Sequence, residues 1–466
     1  MHVFDPEDLA RWTGGRWASP AGSPITGFCA DSRSIGRGQA FVALKTAKRD
    51  GHAYLADALK GGASAALVAR ADPAIALAQL VVSDPLAALQ AVAREHRRSF
   101  KGLVVGVTGS AGKTSTKEIL ALLLGGEKAG VLATVGNLNN QIGVALTLTR
   151  LEPGRHSCAV VEAGISAPGE MAVLAGMIQP DIAVVTLVGP AHLEELGGLE
   201  GVAREKAALF GALRDEGTCI FPSQCEGFAA FRALPAERCL VVEPSRGKAR
   251  PPAGRCRFSV SHSATKTEVA VDCGEHPALR VALPRVTDGM AQNVALGVCA
   301  ALRAAVAPDQ MAPRLAAWRP SPLRGEWRTS EGLRLYLDCY NANPASMADA
   351  LSSFAATAPE DEPRLYLIGC MEELGGASER YHRDLGRSLP LRAQDHAIVI
   401  GGMSAAVLEG GREAGFVPDQ VRQADSVESV SAQLGGFRGS VFVKGSRRHE
   451  LERAFAGSEL AEVSHA

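Results

Sequence analysis

Short apolar runs alternate with amphipathic stretches along most of this chain. Leu103–Val107, Cys158–Glu162 and Ile182–Val188 are apolar at nearly every position, the pattern of strands buried on both faces. Thr114–Leu124 and Gly201–Leu213 carry apolar residues at helical spacing between them. Strand, helix and strand in this order predict a parallel sheet covered by helices on both sides. Residues 257–284 change period: FSVS, TEVAVD and LRVALP alternate apolar and polar positions, which predicts a small antiparallel excursion. Asp288 is then expected to cap a helix running to Val306. Downstream, strands are expected at Leu335–Asp338, Leu365–Ile368, Ala397–Ile400 and Val441–Val443, with helices between. Upstream, Phe41–Leu44 and Ala65–Val68 read as strands around a helix Tyr54–Lys60, which Gly61-Gly62 ends.

Turn-prone residues near Pro85 and at Pro320-Ser321-Pro322 are the expected linkers. They divide an α/β protein into three domains: a small N-terminal α/β domain (1–84), a central doubly wound parallel-sheet domain with an antiparallel extension (85–315), and a Rossmann-like C-terminal α/β domain (316–466). A length of 466 residues suits three cores. With 46% hydrophobic and 21% charged residues the composition is that of a globular protein, and a net charge of −1 gives no reason to expect nucleic acid or an anionic membrane. No stretch approaches the ~18 apolar residues of a membrane span. The N-terminus MHVFDPEDLARW lacks the basic and apolar regions of a signal peptide. The ten cysteines contain no CxxC pair. They are expected as reduced core residues rather than a disulfide framework or zinc site, which suits a cytoplasmic protein.

The chemistry first declares itself in LVVGVTGSAGKTSTKEILALLL. A strand, a glycine loop and a helix in this order form a phosphate cradle. Backbone amides and the helix N-terminus face an anion, and Gly109 and Gly112 admit its close approach. Ser110, Ala111 and Ser115 complete the loop. Lys113 is placed to reach the β- and γ-phosphates, and the Thr114 hydroxyl to bind Mg²⁺. The position that carries the first glycine of an ordinary P-loop is Val107, so the pattern is the shorter TGxxGKT.

Further blocks follow along nearly the whole chain: DSR (31–33), FVAL (41–44), DGH (50–52), GNLNNQIGV (136–144), VEAG (161–164) with PGE (168–170), AHLEELG (191–197), QN (292–293), DCYNANPASM (338–347) and VKGSR (443–447). In this order the chain resembles the Mur ligases, and among them the MurF type, through GNLNNQIGV and YNANPASM. The resemblance implies an ADP-forming ligase of cell-wall precursor synthesis. Such an enzyme uses ATP to join D-alanyl-D-alanine to UDP-N-acetylmuramoyl-tripeptide through an acyl phosphate. It also implies two Mg²⁺ ions, on Thr114, Glu162, His192 and a CO₂-derived carbamate of Lys206. Catalytic roles fall to Lys113, Glu162, His192 and Lys206. ATP contacts fall to the loop 109–115 with Asn293, Arg324 and Asp338, Arg328 competing with Arg324. Substrate contacts fall to Ser32, Arg33, Asn139, Asn140, Asn341 and Asn343. The N-terminal domain would hold the UDP substrate and the C-terminal domain the dipeptide, in a monomer. The sequence departs from the family's pattern at Leu337, Cys339, Cys370, Leu296, Ala145 and Phe221-Pro222-Ser223. Without the resemblance, Glu162 could be a solvent-facing strand end, Lys206 a solvated helix position, and Asn341 and Asn343 turn residues. A ligase adding one amino acid, as the MurE type or folylpolyglutamate synthase does, and a catalytically decayed nucleotide sensor are the competing readings. A GTPase switch lacks the NKxD block.

Overall fold

The structure is a computed structural model that describes residues 2–247, 249–274, 278–330, 332–434, 436–455 and the backbone of 461–462. Its strands form three sheets. The first orders Arg16–Trp17, Ala78–Val81, Ala65–Val68, Gln39–Val42 and Gly27–Cys29, parallel except at Arg16–Trp17. The second centres on Leu103–Thr108, flanked in parallel by Cys158–Glu162 and Ile182–Val185. It extends through Thr218–Pro222 and Cys239–Pro244 to Arg255–His262, still in parallel. There the expected antiparallel excursion begins: Arg255–His262, Lys266–Asp272 and Leu279–Pro284 form a meander at the sheet edge. The third sheet runs Val421–Ala424, His396–Ile400, Arg364–Gly369, Gly439–Lys444, Leu333–Leu337, Glu326–Ser330 and Ala461–Glu462.

Helices cover both faces of the second and third sheets, which explains why their strands are apolar throughout. Val105, Val107, Val160 and Val184 pack with Ile119, Val294 and Val298 on one face of the central sheet, while Val104, Ala159 and Val185 pack with Met171, Ile178 and Leu209 on the other. The C-terminal sheet has the same arrangement, with Phe354, Tyr366 and Phe442 on one side and Leu335, Ile398 and Val441 on the other. Among the described residues no helix is long and apolar enough to cross a membrane.

Four expectations change. Pro85 is no linker: Asp84 caps a helix over Pro85–Ser99, and proline is the first residue because its missing N–H is not needed there. That helix joins the first sheet to the second, since one core runs from Phe4, Leu9 and Leu80 through Leu89 and Val92 to Val144 and Leu148. Its Arg97 is buried and clamps the carbonyls of Ile178 and Gln179 and the carboxylate of Asp181. Second, Thr287 rather than Asp288 caps the next helix, Asp288–Arg303, through a bond from Met290 N to its hydroxyl. Third, Gly201–Leu213 is a helix only to Ala207, beginning at Leu199, and continues as a 3₁₀ turn over Ala208–Ala212. Fourth, Cys256 and Cys273 form a disulfide, with the Sγ of Cys299 3.7 Å from that of Cys273. Arg257 pairs with Asp272 across the meander, so the next positions out, Cys256 and Cys273, face one another. Spacing alone did not reveal this register.

Candidate active site

The phosphate loop begins where the central strand ends. Val107 is still in register, opposite Glu162 and Val184, and buried. The turn starts two residues later, so no glycine is needed at 107. Gly109 and Gly112 hold φ of 154° and 78°. A Cβ at Gly109 would lie 1.8 Å from Thr186 Oγ1, and one at Gly112 2.4 Å from Asn293 Nδ2. The loop is tied down on its far side. Ser110 N donates to Leu187 O at 2.8 Å, and Ser110 Oγ donates to Gly189 O at 2.8 Å while accepting from Gly189 N at 3.0 Å. The Thr186 hydroxyl donates to Ala111 O. Lys113 Nζ donates to Gly109 O at 2.8 Å, curling the side chain over the loop. Burial lowers the Lys113 pKa, Glu162 opposes that shift, and Arg324 adds to it. Gly109→Ala is expected to lose about 1–3 kcal/mol from backbone strain alone, with a further cost from the Thr186 clash; thermal unfolding with and without ATP measures both the stability and the nucleotide response.

Glu162 is no solvent-facing strand end. It is 1% exposed. Its backbone N donates to Thr134 Oγ1 at 3.0 Å, and its Oε1 accepts from Asn139 Nδ2 at 2.7 Å. Its Oε2 is buried with no hydrogen-bond partner. A lone carboxylate oxygen lining the same cavity as the buried Thr114, at a phosphate loop, is the kind of donor a hard divalent cation takes. Leaving it unpaired is otherwise costly. The residues therefore fit Mg²⁺.

These groups form one wall of a cavity of about 570 Å³. Asn293 and Gln292 come from the helix Asp288–Arg303, and the third sheet supplies the opposite wall with Arg324, Asp338, Asn341 and Asn343. The cavity thus unites residues more than 200 positions apart. Arg324 stacks 4.0 Å over the Tyr340 ring and lines the space, whereas Arg328 pairs with Glu326 at 2.9 Å and does not. Of the two arginines, Arg324 is the one that lines the cavity. Asp338 makes a 2.5 Å ion pair with Lys444, which is buried and also donates to Asn341 O at 3.3 Å. Burial pushes the Asp338 carboxyl up and Lys444 opposes it. Lys444 was missed as a site residue, although it stands in VKGSR at the end of an apolar strand. Asn343 caps the helix Pro344–Thr357 through Ser346 N and also donates from Nδ2 to Ser110 O at 3.1 Å. Turn chemistry and a site contact coexist in that one residue. Gly289 N to Asp349 Oδ1, at 3.1 Å, is a second bond across the cleft.

Other expected residues lie elsewhere. Asn140 caps the helix Gln141–Leu148, accepting from Ile142 N and Gly143 N. Arg33 is exposed and paired with Asp31 at 2.6 Å, and neither it nor Ser32 lines the cavity. His192 and Lys206 also lie outside the cavity lining. His192 has φ 52°, and its Nδ1 lies 2.7 Å from Glu373 Oε2 of the C-terminal segment. The angle there is too poor for a hydrogen bond. Lys206 is 2% exposed on the helix Leu199–Ala207, not on a solvated face. No carboxylate lies within ion-pair distance among the described residues. Burial and then the charge of Lys113 hold its amine well below the ordinary lysine pKa, against weaker pulls from Cys225 and Glu205. A buried lysine without a counter-ion favours the neutral amine.

Residues 107–301 match the model of the Mur ligase middle domain and residues 323–447 that of the Mur ligase glutamate ligase domain. The chain belongs to the Mur ligase family. The UDP-N-acetylmuramoyl-tripeptide–D-alanyl-D-alanine ligase of Escherichia coli (strain K12) is 30% identical over 423 residues, 91% of each chain. MurF from Acinetobacter baumannii superposes with a TM-score of 0.84 at 26% identity, covering 98% of both chains. MurF from Thermotoga maritima, solved in complex with ADP, superposes with a TM-score of 0.77 at 25% identity, covering 92% of this chain and 96% of its own. This Mur ligase is therefore an ATP-dependent, ADP-forming enzyme, and its mixed α/β architecture is that of its relatives.

Proposed function

We propose that this Mur ligase joins D-alanyl-D-alanine to UDP-N-acetylmuramoyl-tripeptide, using ATP, in the cytoplasm. The observation that carries the reading is the buried, partnerless Glu162 oxygen beside the Lys113-Thr114 loop, at a cavity whose far wall is built from the YNANP segment. A carboxylate is a poor electrophile at neutral pH, so phosphorylation must precede amide formation. ATP lies in the cavity with its phosphates on the loop 109–115 and its nucleoside among Asn293, Arg324 and Asp338. The substrate carboxylate attacks the γ-phosphorus, ADP leaves, and the amine of the incoming dipeptide attacks the acyl phosphate carbon. Phosphate is released, and the ammonium proton passes to solvent or a nearby base.

Glu162 and Thr114 would hold one Mg²⁺, and His192 with Lys206 carbamate a second. Bound there, they would supply positive charge opposite the transferring phosphoryl group. The chain's own residues do the remainder. Lys113 is held by Gly109 O and adds a positive charge at the phosphates. Asn139 fixes one Glu162 oxygen and leaves the other free. The bonds from Asn343 to Ser110 and from Asp349 to Gly289 hold the C-terminal wall over the loop, which excludes water from a hydrolysable intermediate. Lys206 would supply a neutral amine that adds CO₂ with loss of one proton, giving an anionic oxygen ligand where an ammonium would repel a metal. We also infer that 1–84 holds the UDP substrate through Ser32 and Arg33, 85–315 the ATP and 316–466 the dipeptide, within a monomer.

The test is incubation with ATP, Mg²⁺, UDP-N-acetylmuramoyl-tripeptide and D-alanyl-D-alanine, with the product read by mass. A pentapeptide product with stoichiometric ADP is expected. Coupling of single amino acids in preference to the dipeptide, or ADP release without any coupled product, would overturn the reading.

A further inference from the structure

Three sulfurs from three separate elements meet at the edge of the central sheet. Cys256 lies on the strand Arg255–His262, Cys273 directly follows the strand Lys266–Asp272, and Cys299 lies on the helix Asp288–Arg303. The three Sγ atoms all lie within 4.8 Å of one another. Cys256 and Cys273 are joined, and the Cys299 Sγ is 3.7 Å from that of Cys273. Cys256 and Cys299 are fully buried, whereas Cys273 is only half-buried, so it is the sulfur a small molecule can reach. None of the three lines the nucleotide cavity, and no step of the ligation uses them.

The helix that carries Cys299 also carries Gln292 and Asn293, which do line that cavity. Asn293 and Cys299 are six residues apart, about 9 Å along the helix axis. Val294 and Val298 of this helix share one core with Cys256, Val269 and Val271, so helix and meander pack directly together. In the reducing compartment proposed above, disulfides that do form are usually transient and redox-sensing rather than structural. Burial pushes the Cys299 thiol up to about 12. It therefore stays protonated and spare while the other two cysteines are joined.

We propose that Cys256, Cys273 and Cys299 form a reversible oxidation site, in which Cys273 exchanges with a low-molecular-weight disulfide and then pairs with Cys256 or Cys299. Cys273 gives up its proton, its sulfur attacks one sulfur of the small disulfide, and one small thiol leaves with that proton. A mixed disulfide remains on Cys273. The sulfur of Cys256 then attacks Cys273 Sγ, the mixed bond breaks, and the second small thiol leaves with the Cys256 proton. Two cysteines are oxidised, and one small disulfide is reduced to two thiols. From the joined pair, Cys299 attacks Cys273 Sγ, and its proton passes to Cys256 as the old bond breaks; this exchange needs no oxidant. The first pairing fastens two strands of the meander to each other. The second fastens the meander to the helix that holds Gln292 and Asn293, and so bears on nucleotide binding.

The experiment reduces the full-length protein with dithiothreitol, removes the reductant and adds glutathione disulfide. Free thiols are alkylated at intervals, and linked peptides are identified by mass. Wild type is expected to join Cys256 to Cys273 first, with a Cys273–Cys299 fraction growing over about minutes to hours. Cys256→Ala joins Cys273 to Cys299 alone, and Cys273→Ser leaves Cys256 and Cys299 free. The Kd for ADP of Cys256→Ala shifts by about 5-fold or more between its reduced and linked forms. In the reduced variants it equals the wild-type value, which reports an intact fold. A wild type that never links Cys273 to both partners overturns the proposal, and this arm decides even where a variant does not fold. So does a Cys256→Ala that stops at the mixed disulfide, a Cys273→Ser that still links Cys256 to Cys299, or a linked Cys256→Ala with an unchanged Kd.

Discussion

Lys113→Ala lowers the rate of ATP-dependent ligation by on the order of 10³-fold or more, the scale on which phosphoryl transfer depends on a positioned cation. The effect is on phosphoryl transfer and nucleotide affinity together, because Lys113 is the loop's own cation and its ammonium is already placed by Gly109 O. Burial lowers its pKa, and the neighbouring Glu162 opposes that shift. The variant keeps its fold, since the loop is fastened by Ser110, Gly189, Leu187 and Thr186 rather than by the lysine. Single-turnover formation of ADP measures the loss. Near-wild-type ADP formation would remove Lys113 from the mechanism.

Lys206→Ala is expected to lose activity by about 10²- to 10³-fold, the scale of removing one charge-stabilising group from a transition state. A small carboxylic acid such as formate or acetate should restore part of it by replacing the missing carbamate oxygen. Rescue separates this role from a structural one, because a buried methylene stem contributes packing that a soluble carboxylate cannot replace. The setting makes the prediction sharp: Lys206 is buried, lacks an ion-pair partner among the described residues, and is driven toward its neutral form by burial and by Lys113. Full activity in Lys206→Ala would sink the carbamate. Loss of activity without rescue would leave Lys206 as packing.

Much of the fold was legible because strand and helix periods are local properties. Cys158–Glu162 and Ala65–Val68 appear at the residues expected from their apolar runs, and the change of period after residue 257 marked the meander. Pro85 misled because the same residue ends some elements and starts others. Asp84 before it is the signal that a helix begins, through its bond from Leu86 N. Roles that depend on a distant partner were less legible. Asn139 and Asn140 are neighbours in one motif, yet one orients Glu162 and the other caps a helix. Glu373 carried no local signal at all; its meeting with His192 depends on how the third sheet sits against the second.

The sequence by itself determined the alternation of elements, the phosphate loop and the order of motifs, because each is written in consecutive residues with a fixed period or spacing. Only the tertiary structure decided that Arg324 rather than Arg328 lines the cavity. It also left Glu162 with one free oxygen and Lys206 buried. Those outcomes turn on burial and on partners brought together from separate sheets, and neither can be read from the residues next in line.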